Sequence, residues 1–145
     1  MSDYATDFRV KATPANVYAA VNDVRAWWKG DIEGVTDRAG GEFTYRNKEW
    51  HRSRQRIAEM TPDRRVVWEV VDSHLTFVAA AQEWTGTRIV FEIVSHDDET
   101  ELRFTHHGLT PSCQCYNGCS GGWAYFIDGS LKALIETGKG LGPLG

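Results

Sequence analysis

All three cysteines of the chain, Cys113, Cys115 and Cys119, fall within a stretch of seven residues. If that stretch is helical, Cys115 and Cys119 lie one turn apart on the same face. That is a spacing at which two zinc ligands can stand, with His106 and His107 as further donors. The pattern is nonetheless a poor one for structural zinc, because a single residue separates Cys113 from Cys115 and no second pair follows. Free cysteine is among the most buried residue types and packs as a small hydrophobe. The expectation is therefore a structural, metal-free cluster, in which Cys119 continues an apolar stripe formed with Tyr116 and Trp123. A reactive thiol needs exposure and a lowered pKa. Cys113 or Cys115, near the helix start, is the better placed for that minority role.

Two histidines are the other candidates for chemistry. His106 alternates with Leu102 and Phe104, so it points inward while His107 points out. An inward histidine is either a general base or, more commonly, a hydrogen-bonded core residue. His51, Ser53 and Gln55 share an inward face with Ile57 in the preferred register, since the opposite register would bury Trp50 with Arg52, Arg54 and Arg56. No Ser-His-Asp order, phosphate loop or H-E-x-x-H helix is present. The acidic run His96 to Glu99 reads as a solvated turn.

The elements that position these residues follow from periodicity. "DYATDFRVKA" reads as a first strand. "TPANVYAAVNDV" carries Thr13 as N-cap, Pro14 at the first helical position, and Val17, Ala20, Val21 and Val24 at helical spacing. A turn region with Trp27 and Trp28 side by side follows. "GGEFTYRNKEWHRSRQRIAEM" predicts a hairpin turning near Asn47-Lys48, with Phe43 and Tyr45 on one face. A turn at Pro62-Asp63 leads to a strand in which Val66, Trp68 and Val70 alternate. "HLTFVAAAQEWTG" is ambiguous between a short strand and a loop. The clearest hairpin sets Ile89, Phe91 and Ile93 against Leu102, Phe104 and His106. The tail repeats Trp123, Ile127, Leu131 and Leu134 at helical spacing, with Phe126 and Ser130 beside them and Gly138 as a stop. Gly121-Gly122 marks either a kink or a close approach of helix to sheet.

An antiparallel sheet with one apolar face needs a cover, and the C-terminal helix is the one long amphipathic element that can supply it. The expected fold is therefore α+β: a strongly bent antiparallel sheet wrapped around a long C-terminal α-helix, with short N-terminal helices plugging one end. Residues 1–145 are expected to form a single domain. Hydrophobic residues at 41%, charged residues at 25% and a net charge of −4 describe an ordinary folded chain without the basic surplus of a nucleic-acid binder. No apolar run reaches the roughly 20 residues of a bilayer span. The N-terminus lacks the order of a secretory signal. An odd cysteine count argues against a disulfide framework, and the cytoplasm is the expected location.

The segments "TPANVYAAVNDVRAWW", "RVVWEVVDSHLTF", "GTRIVFEI", "TELRFTHHGL" and "GGWAYFIDGSLKALIETGKG" together resemble the SRPBCC (START/Bet v 1-like) superfamily. Within it they are most similar to bacterial proteins related to the C-terminal domain of the Hsp90 ATPase activator. The resemblance covers nearly the whole chain and implies a helix-grip fold with a cavity between sheet and helix. The eukaryotic activator carries a further N-terminal domain that supplies much of its chaperone contact, whereas this sequence begins at the helix-grip domain, so Hsp90 activation is not expected.

The function expected is a cytosolic binding module for a small, largely apolar or aromatic ligand. The alternatives are a co-chaperone-like or other protein-interaction role, with a place in the stress response, and a cyclase- or hydrolase-type enzyme using His106 or His51 as acid or base. The residues expected to line the cavity are Trp28, Phe43, Tyr45, His51, Trp68, Phe91, Phe104, His106, Cys119, Trp123 and Ile127. The aromatic set is expected to leave the middle of the grip open, rimmed by Trp28, His51 and His106. No cofactor, metal, nucleic acid or membrane insertion is expected, and the chain is a monomer or a homodimer.

Overall fold

Alternation along the strands decides which way the sheet faces its helix. In the computed structural model, which describes residues 2–142, strands β1 (Tyr4–Val10), β2 (Asp31–Gly34), β3 (Glu42–Asn47), β4 (His51–Thr61), β5 (Arg65–Leu75), β6 (Arg88–His96) and β7 (Glu99–His107) form one antiparallel sheet. Its order is β1-β7-β6-β5-β4-β3-β2. Ser53, Gln55 and Ile57 of β4 are buried, while Arg54 and Arg56 are exposed on the outer face, so the register expected from the arginines is the one adopted. On that outer face Arg52 pairs with Asp72 and Arg56 with Glu69 at 3.0 and 3.1 Å, exposed pairs of small individual value.

The sheet bends where β4 and β5 slip register, between Arg54 and Gln55 and again between Ile57 and Glu59. Such bulges increase local twist and let a sheet curl. Lys48, Asp63 and Asp97 turn the β3–β4, β4–β5 and β6–β7 hairpins with φ of 53°, 64° and 50°. Short polar residues tolerate the left-handed region at modest cost, which explains the two aspartates.

Helix α1 (Pro14–Asn22) starts as expected: Thr13 Oγ1 accepts the backbone N–H of Asn16 at 3.1 Å and Pro14 occupies the first turn. A four-residue helix, α2 (Val24–Trp27), follows. The segment after Trp28 is not simply a turn, because Asp31–Gly34 pairs with β3 as the edge strand β2.

The C-terminal helix runs without interruption from Tyr116 to Thr137 in three parts: α3 (Tyr116–Trp123), a π-helical segment (Ala124–Leu131) and α4 (Lys132–Thr137). The π segment widens the turn so that Phe126 and Ile127, then Ser130 and Leu131, are all buried. Ser130 Oγ donates to the carbonyl of Trp27 at 2.8 Å and accepts the Leu141 N–H at 2.9 Å, tying α2 and the tail to the helix. Gly121 and Gly122 sit one turn before this segment. A Cβ at either would meet nothing within 4 Å, so the pair does not mark a close approach to the sheet.

The middle of the grip is filled. Trp27, Trp68, Phe43, Phe91 and Phe104 are fully buried there. Trp27 stacks on Trp68 at a centroid distance of 6.3 Å, and Phe43 and Phe91 meet the Trp68 ring edge-on at 5.0 and 4.9 Å. The expectation of an open middle overlooked Trp27, which swings in from α2 and closes the space; its indole N–H donates to the Val21 carbonyl at 3.1 Å.

Candidate functional site

An aromatic pocket opens at one end of the grip. Only Arg65–Glu69 of β5 pairs with β6; the rest of β5, as far as Leu75, pairs with β4 alone. The sheet splits there, and the loop 76–87 runs into the split. Gly86 N–H donates to Val70 O at 2.8 Å and Leu75 N–H to Ala81 O at 2.8 Å, which holds the loop against β5. Glu83 fixes its other side: its two carboxylate oxygens accept the N–H groups of Gln114 and Cys115 at 2.7 and 2.9 Å, at the start of the C-terminal helix. A carboxylate at a helix N-terminus satisfies orphan donors and complements the dipole.

This loop brings Trp84 beneath the helix and Phe77 to the surface, and between them is a pocket of about 260 Å³. Trp28, Tyr45, His51, Trp84, Trp123 and Phe126 form its walls. Asn47, Trp50 and Phe77 form its mouth, and Gly118, Cys119 and Gly122 lie along the helix side. The glycines leave that side without bulk. Trp84 and Trp123 stack at 5.5 Å and 12°, and Trp28 stacks on Tyr45 at 3.9 Å and 9°. Tyr45 is itself held, its hydroxyl donating to Lys29 O at 2.9 Å.

Of the residues expected to line a cavity, Trp28, Tyr45, His51, Cys119 and Trp123 do meet in this pocket. Phe43, Trp68, Phe91, Phe104 and Ile127 are buried in the packed middle, away from it. His106 lies behind the wall. Its Nδ1 accepts the indole N–H of Trp123 at 3.0 Å, and its Nε2 meets Thr87 Oγ1 at 2.8 Å. Thr87 Oγ1 in turn donates to Trp84 O at 2.6 Å. The chain of donors fixes the tautomer: Nδ1 is bare and Nε2 carries the proton. Burial, with a smaller contribution from nearby His51, pushes the His106 pKa down to about 3. Both ring nitrogens are engaged, so His106 is a neutral strut for the two stacked indoles.

His51 stands at the pocket itself, edge-on to Trp84 at 4.5 Å. Its Nε2 is 2.8 Å from the buried Ser53 Oγ, and burial lowers its pKa to about 3. Trp50, Phe77 and Trp84 were not expected at the site. Trp84 and Phe77 belong to a loop without periodicity, and their signal was compositional: two large aromatics in an otherwise small, polar segment.

The cysteines separate. Cys113 is half-buried in the turn before the helix, its thiol donating to Gly108 O at 3.4 Å. Cys115 is the N-cap residue and Cys119 lies one turn on, both buried. A hydrogen bond with the Cys119 thiol, together with burial, pushes the Cys115 pKa up, which disfavours the thiolate. Among the described residues no three His, Cys, Asp or Glu side chains are grouped so as to hold a metal ion. Among the same residues no helix is long and apolar enough to cross a membrane.

A bent antiparallel sheet gripping a C-terminal helix, with an aromatic pocket at the open end, defines an α+β helix-grip protein of the SRPBCC type. Residues 11–136 match the family described as Activator of Hsp90 ATPase homolog 1-like protein, and the chain belongs to that family. The fold is similar to the solution structure of the Aha1 dimer from Colwellia psychrerythraea, at 26% identity and a TM-score of 0.76, over 97% of this chain and 100% of that one. It is also similar to DynU16, a putative protein in the dynemicin biosynthetic locus, at 16% identity and a TM-score of 0.70, over 97% of this chain and 49% of that one. CalU16 from Micromonospora echinospora matches at 21% identity and a TM-score of 0.66, over 90% of this chain and 72% of its own. The latter two likenesses concern the fold alone. No functionally curated protein matches the sequence.

Proposed function

We propose that this protein is a binding module, acting as a single domain in the cytoplasm, that holds a small, largely apolar ligand in the pocket between the split sheet and the C-terminal helix. The observation that carries this reading is the pocket's construction. Four indoles and a phenol ring line about 260 Å³ of space, beside a helix turn whose Gly118 and Gly122 add no side chain to it. An aromatic wall of this kind gains from shielding against water, and concave apolar sites with a few polar groups are where small molecules bind. The rings are also held in place before any ligand arrives, Trp123 by His106 and Tyr45 by Lys29 O. That reduces the ordering cost of binding.

The test is a thermal-shift screen with flavonoids, fatty acids, sterols and aromatic polyketides, run on the native protein and on Gly122→Leu. A leucine at 122 projects into the pocket from a position with no atom within 4 Å of its Cβ. The reading expects a rise in Tm with the logarithm of ligand concentration for the native protein and none for the variant. Equal shifts in both, or no shift with any compound at high micromolar concentration, would contradict it.

Association with a protein partner or a second copy is the alternative favoured by a specific observation. Trp50 and Phe77 at the pocket mouth are 45% and 49% exposed, and the Colwellia relative is a dimer. Sedimentation of the native protein and of a Trp50→Lys, Phe77→Lys variant distinguishes it, since that reading expects association that the variant abolishes. A cyclase- or hydrolase-type reaction in the same pocket would fall to His51, because His106 has no free nitrogen.

A further inference from the structure

The hydroxyl of Ser53 is fully buried, and among the described residues its partner is the Nε2 of His51, 2.8 Å away. A hydroxyl hydrogen kept from water must find an acceptor or cost the fold its desolvation. Nε2 is the acceptor within reach. The opposite arrangement, with Nε2–H donating to Ser53, would leave the serine hydrogen with nothing to bond. Ser53 therefore donates, Nε2 is bare, and the single proton of the neutral ring resides on Nδ1. His51 is thus the reverse of His106, whose Nδ1 is bare and whose Nε2 carries the proton.

Among the described residues Nδ1 of His51 has no protein partner, and its ring forms part of the pocket wall. The other polar atoms nearby are already engaged or are poor partners. The Tyr45 hydroxyl and the Trp123 indole donate within the protein, the Asn47 side chain at the mouth is engaged with the Tyr45 hydroxyl, and the fully buried Trp84 indole N–H lies against the Cys115 sulfur. Building on the binding-module reading, we infer that His51 Nδ1–H is the polar determinant of the pocket and selects flat aromatic molecules that present a carbonyl oxygen. The ring stays neutral in its apolar surroundings, so it offers a hydrogen bond without a compensating charge. A neutral ketone or quinone oxygen then pairs without the penalty that a carboxylate would suffer on entering this wall.

The matched probes are 9-fluorenone and fluorene, which share a shape and differ in the acceptor. The native protein should bind fluorenone about 3- to 10-fold more tightly, the range of one neutral hydrogen bond. That preference should collapse toward one in His51→Phe. Long-range nitrogen–proton correlation of the histidine rings gives an independent reading on the unmodified protein: His51 should show Nδ1–H and His106 Nε2–H. Equal binding of the two probes to the native protein, or an Nε2–H signal from His51, overturns this inference and leaves the pocket reading standing. If neither probe binds, this inference falls, and the wider screen on the native protein and Gly122→Leu decides the pocket reading.

Discussion

The indole N–H of Trp123 points at the bare Nδ1 of His106, 3.0 Å away, and joins the gripped helix to the far strand of the β6–β7 hairpin. At the surface Thr6 Oγ1 of β1 also donates to the Asp128 carboxylate at 2.9 Å, and elsewhere sheet and helix meet largely through apolar contact, which resists separation but not sliding. This bond, extended through Thr87 to Trp84 O, fixes where the two stacked indoles stand. Replacing His106 by Phe keeps the ring but leaves a buried indole N–H without an acceptor. The expected loss is about 1–3 kcal/mol in a denaturant titration. Trp123→Ala, which removes the ring, should cost about 3–5 kcal/mol. A change below about 0.5 kcal/mol for His106→Phe would mean that the bond does not hold the wall.

Acid should unfold the protein through its histidines. Burial holds His51 and His106 at about 3, against 6.5 for the exposed ring. Between those values the unfolded chain binds protons that the folded chain refuses. Stability is therefore full above about pH 6.5 and is lost as pH falls toward 3. Each histidine contributes a slope approaching ~1.4 kcal/mol per pH unit within that window. Carbon-13 ring signals of both residues should remain those of neutral imidazole from pH 7 to pH 5. Protonation of either by pH 5.5 would contradict the burial argument.

Gly121 and Gly122 separate helix propensity from pocket space. Both are in α3 with open space at the Cβ, but only Gly122 lines the pocket. Gly121→Ala should raise stability by about 0.5–1 kcal/mol and leave ligand response intact. Gly122→Leu should remain at least as stable as the native protein while losing that response. Loss of stability in Gly122→Leu would show that the side chain clashes rather than fills.

Glu83 should matter more than its surface position suggests. Its carboxylate bonds to Gln114 and Cys115 couple the loop carrying Phe77 and Trp84 to the helix start. Glu83→Ala should cost about 1–2 kcal/mol. Amide exchange at Ala81 and Gly86, whose N–H groups donate to Ala79 O and Val70 O, should accelerate with it. Unchanged exchange across 76–87 would mean that the β5 contacts alone hold the loop.

Much of the sheet was legible from side-chain alternation, because most strand positions alternate between a buried and a wetter face, with Val67, Val90 and Glu101 as buried exceptions. Ile89, Phe91 and Ile93 against Leu102, Phe104 and His106 fixed one hairpin, and the arginines of β4 fixed another. The pocket was legible only in part. Trp28, Tyr45, His51, Cys119 and Trp123 sit on elements whose inward face follows from periodicity. Trp84 and Phe77 sit in a loop, and their placement depends on where β5 parts from β6, which no local pattern records. Trp27 was hidden for a related reason. A tandem Trp pair cannot both face inward on one regular element, yet Trp27 at the end of α2 and Trp28 just beyond it are both buried. The π segment was invisible to a search for a 3.6-residue period, which saw Phe126 and Ser130 as companions of the stripe rather than part of it.

The six tryptophans allow the account to be tested in one spectrum. Trp28, Trp50, Trp84 and Trp123 line the pocket, whereas Trp27 and Trp68 are packed in the filled middle and do not. A nitrogen–proton correlation spectrum resolves one indole signal for each. On titration with a compound that raises the Tm, the account predicts that the Trp28, Trp50, Trp84 and Trp123 signals move together and saturate at one equivalent, with Trp27 and Trp68 nearly still. Saturation with Trp27 and Trp68 moving most, or binding that leaves Trp84 and Trp123 unmoved, would place the ligand elsewhere and contradict the pocket reading.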